Sequence, residues 1–309
     1  MLSTRVLPAA LACASLVSVI PGCVVHVDSG GFSARKEQRF TVDGRPTVDL
    51  STFDGPVEVQ AWDRPEVLVR IETRASSKAL LESIDVDLTQ DGSRIVVDVT
   101  APDRQGWSMQ TGHISRSARV VALVPVDSEL KVRSDDGSVS IERVRGLIDA
   151  RTGDGRIVMR RVAGDITADS GDGSVQMEEV DGDCTVSTRD GSVLLSGRLR
   201  GGLRATSGDG SITVKASSGS EVSSDWAIET ADGSVTLGLP EDIAAVLDAR
   251  TEDGRIALHG FPEVAVKKDG NARSMRGAVG GGTRLVHIRT GDGSITVKRL
   301  TLPGPPEPL

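Results

Sequence analysis

The sequence predicts an all-β protein, a single-stranded β-solenoid of stacked coils of about 18–23 residues with an irregular β-rich N-terminal cap. The first observation is a repeated turn, in which Asp-Gly is followed by Ser or Arg and then by Val or Ile. It occurs at Asp136, Asp154, Asp172, Asp190, Asp209, Asp232, Asp253 and Asp292. The first four are 18 residues apart, and the following gaps are 19, 23, 21 and 39. A near-constant period of this length is typical of stacked repeat architectures.

The second observation is a spacing of two between apolar or small residues on both sides of each turn. In one repeat, Ile148, Ala150 and Thr152 precede the turn, and Ile157 and Met159 follow it. The positions between them are mostly charged or polar. This pattern indicates two strands, each with one buried face. Because one such pair is marginal in water, successive coils must stack and bury one another.

Composition limits the core and the partners. Hydrophobic residues make up 38% of the chain, but aromatics only 2%, and there is no Tyr. A core without large rings must be thin, as between the stacked strands of a narrow prism. The formal net charge of −8 argues against a nucleic-acid partner, because phosphate binding needs a positive surface. It also disfavours electrostatic docking on anionic lipid.

The N-terminus provides another route to the membrane. Residues 1–22 read as a signal peptide, with Arg5 before an apolar stretch too short for a confident membrane-spanning helix. The segment Val19-Ile20-Pro21-Gly22-Cys23 resembles a bacterial lipobox, in which cleavage before the cysteine is coupled to lipidation of its thiol. The alternative is an ordinary secretory signal. We expect lipidation at Cys23 and a cell-envelope location, at the outer membrane if the cell has two, because Val24 follows the cysteine.

The rest of the chain divides by the regularity of its repeats. No segment shows a clear helical period, and residues 77–83 are the only short helical candidate. Residues 84–99 read as a hairpin within the irregular part. The predicted divisions are a tether at 23–38, a β-rich N-terminal part at 39–130, regular repeats at 131–300 with a long loop at 261–282, and a disordered tail at 301–309. The sequence leaves the oligomeric state open.

A family resemblance follows from the motifs. The stretch Phe53-Asp54-Gly55-Pro56-Val57, the repeated Gly-Asp-Gly-Ser turns and the closing Gly280-Gly281-Gly282 resemble the bacterial putative-adhesin family, a domain of unknown function made of β-strand repeats. The resemblance covers roughly residues 40–300. It implies a non-catalytic envelope adhesin or scaffold and offers no catalytic residues to transfer.

The turn aspartates are the first chemical candidates. Stacking would align them in a column about 5 Å apart, and a carboxylate column can bind Ca²⁺. The simpler interpretation is that Asp-Gly is a preferred turn pair, with Asp bonding the backbone and Gly at positive φ. The glycine-rich nonapeptide of calcium-binding β-rolls is absent from the sequence. We therefore predict turns and no metal site.

Other reactive residues also have structural explanations. Cys184 falls at an interior position of the repeat, where a cysteine acts as a small hydrophobe. His26, His113, His259 and His287 lack partners at metal-ligand spacing. No nucleophile motif or paired-acid arrangement stands out. The sequence predicts a non-enzyme without a cofactor; a polysaccharide-binding or polysaccharide-modifying β-helix and an envelope-stress sensor lipoprotein remain alternatives.

One basic cluster stands out on this acidic chain. Lys267, Lys268, Arg273 and Arg276 lie in the predicted loop at 261–282. Such a cluster is often only a solvated loop. Loops also carry many binding residues, so these four are the candidate contact with an envelope polysaccharide or protein.

Overall fold

The structure is a computed structural model that describes residues 24–28, 31–102, 115–262, 264, 266–269 and 272–300. Cys23, residues 1–22 and the tail at 301–309 lie outside this part. The described N-terminal strands are β1 (Val24–Asp28), β2 (Gly31–Thr41), β3 (Thr47–Thr52), β4 (Val57–Trp62), β5 (Glu66–Ala75), β6 (Asp85–Asp91), β7 (Arg94–Thr100) and β8 (Arg116–Pro125). A single short helix, α1 (Lys78–Glu82), forms at the predicted helical stretch, and the described residues contain no helix with the length and apolarity to cross a bilayer.

The remaining strands form the repeats and the C-terminal end. They are β9 (Glu129–Ser134), β10 (Val139–Glu142), β11 (Arg145–Thr152), β12 (Ile157–Arg160), β13 (Ala163–Ser170), β14 (Val175–Thr188), β15 (Val193–Ser207), β16 (Ile212–Ala216), β17 (Trp226–Thr230), β18 (Val235–Pro240), β19 (Ala245–Thr251), β20 (Ile256–His259), β21 (Val266–Asp269), β22 (Ala272–Val279), β23 (Leu285–Thr290) and β24 (Ile295–Leu300).

Two parallel ladders face each other across the core. The first ladder runs in the order β7, β3, β9, β11, β13, β14, β15, β17, β23, β19, and from β3 onward each of its strands precedes an Asp-Gly turn. The second ladder runs in the order β8, β4, β10, β12, β14, β15, β16, β18, β24, β20, and from β4 onward each of its strands follows an Asp-Gly turn. Because β14 and β15 run through both ladders, the architecture is all-β and solenoid-like.

The predicted interior columns are the core. Ile166 pairs with Ile148 on one side and with Cys184 on the other, and Ala168 lies between Ala150 and Val186. All of these side chains are buried. Each column stacks apolar on apolar, so burial accumulates coil by coil.

A hydrogen-bonded spine links the turns. In each repeat, the hydroxyl that stands two residues before the turn aspartate donates to the carbonyl of a turn glycine in the neighbouring repeat. Thr152 Oγ1, for example, donates to the Gly137 carbonyl at 2.8 Å and accepts from the Gly155 amide at 3.2 Å. The hydroxyls are those of Ser134, Thr152, Ser170, Thr188, Ser207, Thr230, Thr290 and Thr251. The spine satisfies buried polar groups that stacking removes from water.

The repeated turns need glycine because the backbones of adjacent turns lie very close together. The sequence alone predicts a different reason, a positive φ at the glycine. None of the eight glycines in the repeated Asp-Gly turns from Gly137 to Gly293 has φ in the left-handed region, whereas Gly55, in the earlier turn between β3 and β4, has φ of 112°. A Cβ added at Gly173 would lie 1.9 Å from the carbonyl oxygen of Gly155, and one at Gly191 would lie 2.1 Å from that of Gly173. Adjacent turns therefore stack backbone on backbone, and any side chain would separate the coils.

The spatial order of the repeats departs from the sequence order at both ends. Residues 285–300, expected as the last coil, lie between the repeats of β17/β18 and β19/β20, so that Val286 pairs with both Trp226 and Leu247. At the N-terminal end, β3 lies between β7 and β9. The coil of β3 and β4 and the last coil in sequence are therefore each held between two others.

Two expected irregular segments contain strands. The predicted tether at 23–38 includes β1 and most of β2, which pair antiparallel with each other and, through β2, with β5. Cross-strand ion pairs stabilise β2, for example the pair of Arg70 with Glu37 at 2.7 Å. Because charged residues occupy these positions of β2, its sequence shows no alternation of apolar and polar residues. The predicted loop at 261–282 includes β21 and β22, and β22 pairs antiparallel with β19.

Candidate functional site

Charged residues from four strands lie together on one outer sheet face around the out-of-order coil. Arg289 on β23 pairs in register with Glu229 on β17 and with Arg250 on β19. On the neighbouring row, Asp248 of β19 pairs with Arg276 of β22. We call Glu229, Asp248, Arg250, Arg276 and Arg289 the arginine face. Rigid parallel strands position all but Arg276.

Arg289 is fixed within this face. Its Nη1 lies 3.3 Å from Asp248 Oδ1 and donates to the backbone carbonyls of Asp248 and Ile288 at 3.2 and 3.0 Å. Its side chain is 30% exposed, the lowest value among the arginines in ion pairs of the described residues. Partial burial and several acceptors hold the guanidinium in one orientation.

Arg250 and Arg276 differ from Arg289 because both are exposed and their side chains form no hydrogen bond or ion pair within the described part of the chain. A shallow cavity of about 370 Å³ lies beside Arg250 and Arg289 and is also lined by Glu229 and Glu252. Two unpaired guanidinium groups can bind carboxylates through paired N–H groups, and the two glutamates can accept hydrogen bonds from hydroxyls.

The predicted basic cluster is only partly at this face. Arg276 belongs to it. Arg273 is half-buried and donates to the carbonyl of Gly254, in the turn between β19 and β20. The backbone of Lys267 pairs with Ser274 and that of Lys268 with Arg273; for these two lysines only the backbone is described. Arg273 therefore has a structural contact, which separates it from Arg276.

Sequence reasoning missed Arg250 and Arg289, although a signal was present. Each immediately precedes the threonine of the hydroxyl spine, as Arg151 does in another repeat. Arg151 is paired with Asp149 at 2.8 Å, so the same column position can be either satisfied or free. Comparing the outward charged residues of successive repeats would have identified the position before each spine threonine. It would not have shown which strand lies beside that position.

A second concave surface follows the corner between the two ladders. Gly164 and Gly182 form its floor, where an added Cβ would lie 2.2 Å from a neighbouring backbone oxygen, and the groove encloses about 460 Å³. Burial alone would raise the pKa of Asp181, but hydrogen bonds from Arg198 and Arg200 outweigh it and hold this pKa below its ordinary value. The charged residues that line the groove are Arg145, Asp165, Asp181, Asp183 and Arg200. Acidic groups outnumber basic ones among them, so the groove offers less to an anionic ligand than the arginine face.

Cys184 lies beneath this corner. It is buried at the predicted interior position, and burial, reinforced by the charge of Asp183, raises the pKa of its thiol to about 12. Since the thiolate is the reactive form, Cys184 is an inert core residue.

The remaining candidates do not form a cluster. In the part of the chain covered by the structure, no three His, Cys, Asp or Glu residues come together in a way that could hold a metal ion. Among the turn aspartates, Asp172 pairs with Arg189 at 3.0 Å. His259 is exposed at the end of β20, and His287 lies between Ala227 and Asp248 with Nδ1 buried and unbonded. His113 and the side chain of His26 are outside the described residues.

The chain is similar to several solved bacterial structures and matches one family model. A putative adhesin from Bacteroides fragilis NCTC 9343 is 12% identical, with a TM-score of 0.47 over 86% of this chain and 97% of its own. A putative lipid binding protein from Parabacteroides distasonis ATCC 8503 is 11% identical, with the same TM-score and coverage. No curated protein matches the sequence. The family model described as Toastrack DUF4097 matches residues 47–298, and the chain belongs to this family.

Proposed function

We propose that this protein is a lipid-anchored, non-catalytic adhesin or scaffold of the cell envelope. In this proposal, coils of about 18–23 residues form a rigid solenoid that presents the arginine face to an envelope polymer. The carrying observation is that Arg250 and Arg276, both exposed and unpaired, flank the fixed Arg289–Asp248 pair on adjacent strands. The proposed role of this surface is binding alone and does not require a catalytic residue.

The face fits an acidic polysaccharide that carries both carboxylates and hydroxyls. Planar guanidinium groups recognise carboxylates with two parallel hydrogen bonds. Glu229 and Glu252 would repel an anion that has no hydrogen-bond donors. The same two carboxylates can accept hydrogen bonds from sugar hydroxyls. Neighbouring strands about 4.8 Å apart present these groups at a spacing comparable with one sugar unit. The overall charge of −8 makes this local site the natural contact with an anionic polymer.

Removing the two free arginines is expected to weaken retention on such a polymer. We expect the variant Arg250→Ala/Arg276→Ala to bind immobilised polygalacturonate at least about tenfold more weakly, since each lost charge-assisted bond contributes roughly 1.5–3 kcal/mol. The measurement is retention of the purified protein at fixed ionic strength, with neutral dextran as the reference matrix.

The matched control is Lys131→Ala/Arg133→Ala, which also removes two positive charges. These residues lie on β9, which belongs to the same ladder as β19 but is far from the arginine face. Equal losses in the two variants would mean that binding follows net charge alone and would contradict a defined site. Release of reducing ends during incubation would instead support the polysaccharide-modifying alternative and overturn the non-enzymatic role.

The anchor is tested separately. Changing Cys23 to Ala removes the thiol that would carry the lipid, so we expect unprocessed or released protein and a shift from the detergent phase to the aqueous phase. Growth with labelled fatty acid should label the wild type only. Unchanged partitioning of Cys23→Ala would exclude the lipoprotein assignment, and recovery of the wild type in the inner membrane of a two-membrane cell would contradict the outer-membrane location.

A further inference from the structure

The C-terminal segment of residues 285–300 lies between two other repeats, the repeat of β17 and β18 and the repeat of β19 and β20. β23 pairs with β17 and β19, and β24 pairs with β18 and β20, all in parallel register. Its core side chains Val286, Ile288, Ile295 and Val297 are fully buried. The ladder bonds of this segment are therefore made to strands that precede it by many residues, on both sides.

Specific hydrogen bonds and an ion pair connect residues 285–300 to both flanking repeats. Thr290 donates to the Gly233 carbonyl at 2.8 Å, and the Gly293 carbonyl accepts from Thr251 at 2.9 Å. Arg289 adds the ion pair with Asp248. An empty slot would leave two ladder edges and the core open, which strongly favours refilling. A second copy of the same chain carries the one segment that reproduces every contact.

The connection to the segment is built from glycine. Gly280 and Gly281 have φ of 59° and 69°, a region that suits glycine, and both are exposed. Residues 280–284 link β22 to β23 and would span roughly 17 Å when extended. A short exposed hinge before a fully docked element is the arrangement from which domain swapping arises.

We propose that residues 285–300 exchange between two copies of this chain, each filling the slot of the other. In the exchanged dimer the arginine face is composite, with Arg250 and Asp248 from one copy and Arg289 from its partner. The proposal rests on the registers and the hinge, so it stands or fails independently of polysaccharide binding.

Cysteine pairs in separate chains test the exchange. Ala227 and His287 are register partners on the outer face of β17 and β23, close enough for a disulfide. One chain of residues 23–309 carries Cys23→Ser and Ala227→Cys, and a second, of different mass, carries Cys23→Ser and His287→Cys. After co-refolding and oxidation, we expect a covalent heterodimer several-fold above a control pairing of Ala227→Cys with Thr296→Cys, which lies in the other ladder.

The double variant Ala227→Cys/His287→Cys in one chain shows whether the pair can form the bond. If this bond forms while the mixture gives no heterodimer above the control, the exchange is refuted. Should the double variant not oxidise, the pair Ala257→Cys and Thr296→Cys, register partners of β20 and β24, replaces it with the same two outcomes. Deleting Gly281 and Gly282 should raise the dimer fraction measured by light scattering, because the shortened hinge strains the closed form.

Discussion

Ala168→Asp is expected to lower the midpoint of thermal unfolding by roughly 6–20 °C, whereas Thr185→Asp should leave it nearly unchanged. Ala168 has no exposed surface and lies between Ala150 and Val186 in the middle of the stack. A carboxylate there would be desolvated without a partner, at a cost of roughly 3–5 kcal/mol. In a domain of this size each kcal/mol shifts the midpoint by about 2–4 °C.

Thr185 is a suitable control because it is exposed on the next strand and its register partners are Thr167 and Arg204. A new carboxylate at this position meets water and a basic neighbour. Thermal unfolding followed by far-UV circular dichroism gives both midpoints. Similar losses in the two variants would contradict the assignment of inward and outward faces, since a shift of one residue exchanges them.

The regular repeats could be predicted because burial and turn chemistry mark the same register. Each Asp-Gly pair fixes the phase of a two-residue alternation, so Ile166, Ala168 and Cys184 could be assigned to the interior from spacing alone. The hairpin of β6 and β7 was predicted for the same reason, from an alternation around the turn at 90–93. Local patterns that repeat at a fixed phase are the most secure sequence signals.

The order of the coils could not be predicted because the columns are interchangeable. Val286 would pack on Leu203 as well as it packs on Trp226 and Leu247, since each is apolar at the same phase. The sequence pattern therefore fixes the register within a coil but not the neighbour of that coil. The arginine face depends on that neighbour, because it exists only where β23 separates β17 from β19.

The strand of the expected tether was missed for a different reason. β2 is held by antiparallel ladder bonds and by ion pairs such as Arg39 with Glu66 at 3.2 Å and Arg35 with Glu72 at 3.4 Å. Its own residues alternate charge rather than hydrophobicity. Such a strand is defined by its partner, which its own sequence does not reveal.

Replacement of a turn glycine tests the close stacking of the coils. Gly173→Ala should destabilise the protein by roughly 3 kcal/mol or prevent folding, because overpacking between two fixed backbones has no side chain that can yield. The added Cβ would lie 1.9 Å from the Gly155 oxygen, 2.5 Å from its carbonyl carbon and 2.8 Å from Ser170 Oγ. Separating the two coils to make room would break the ladder bonds on both sides of the turn and the spine bond from Ser170.

Gly202→Ala is the matched control for this effect. Gly202 has no left-handed φ, and a Cβ there would meet only the Cβ of Ser224 at 3.7 Å, an ordinary contact. We expect this variant to unfold within about 0.5 kcal/mol of the wild type. Both variants make the same chemical change, so the loss of backbone freedom in the unfolded chain is common to them and cancels in the comparison. Equal midpoints for Gly173→Ala and Gly202→Ala would mean that the coils can separate at little cost, and the turn column would then not determine how closely they stack.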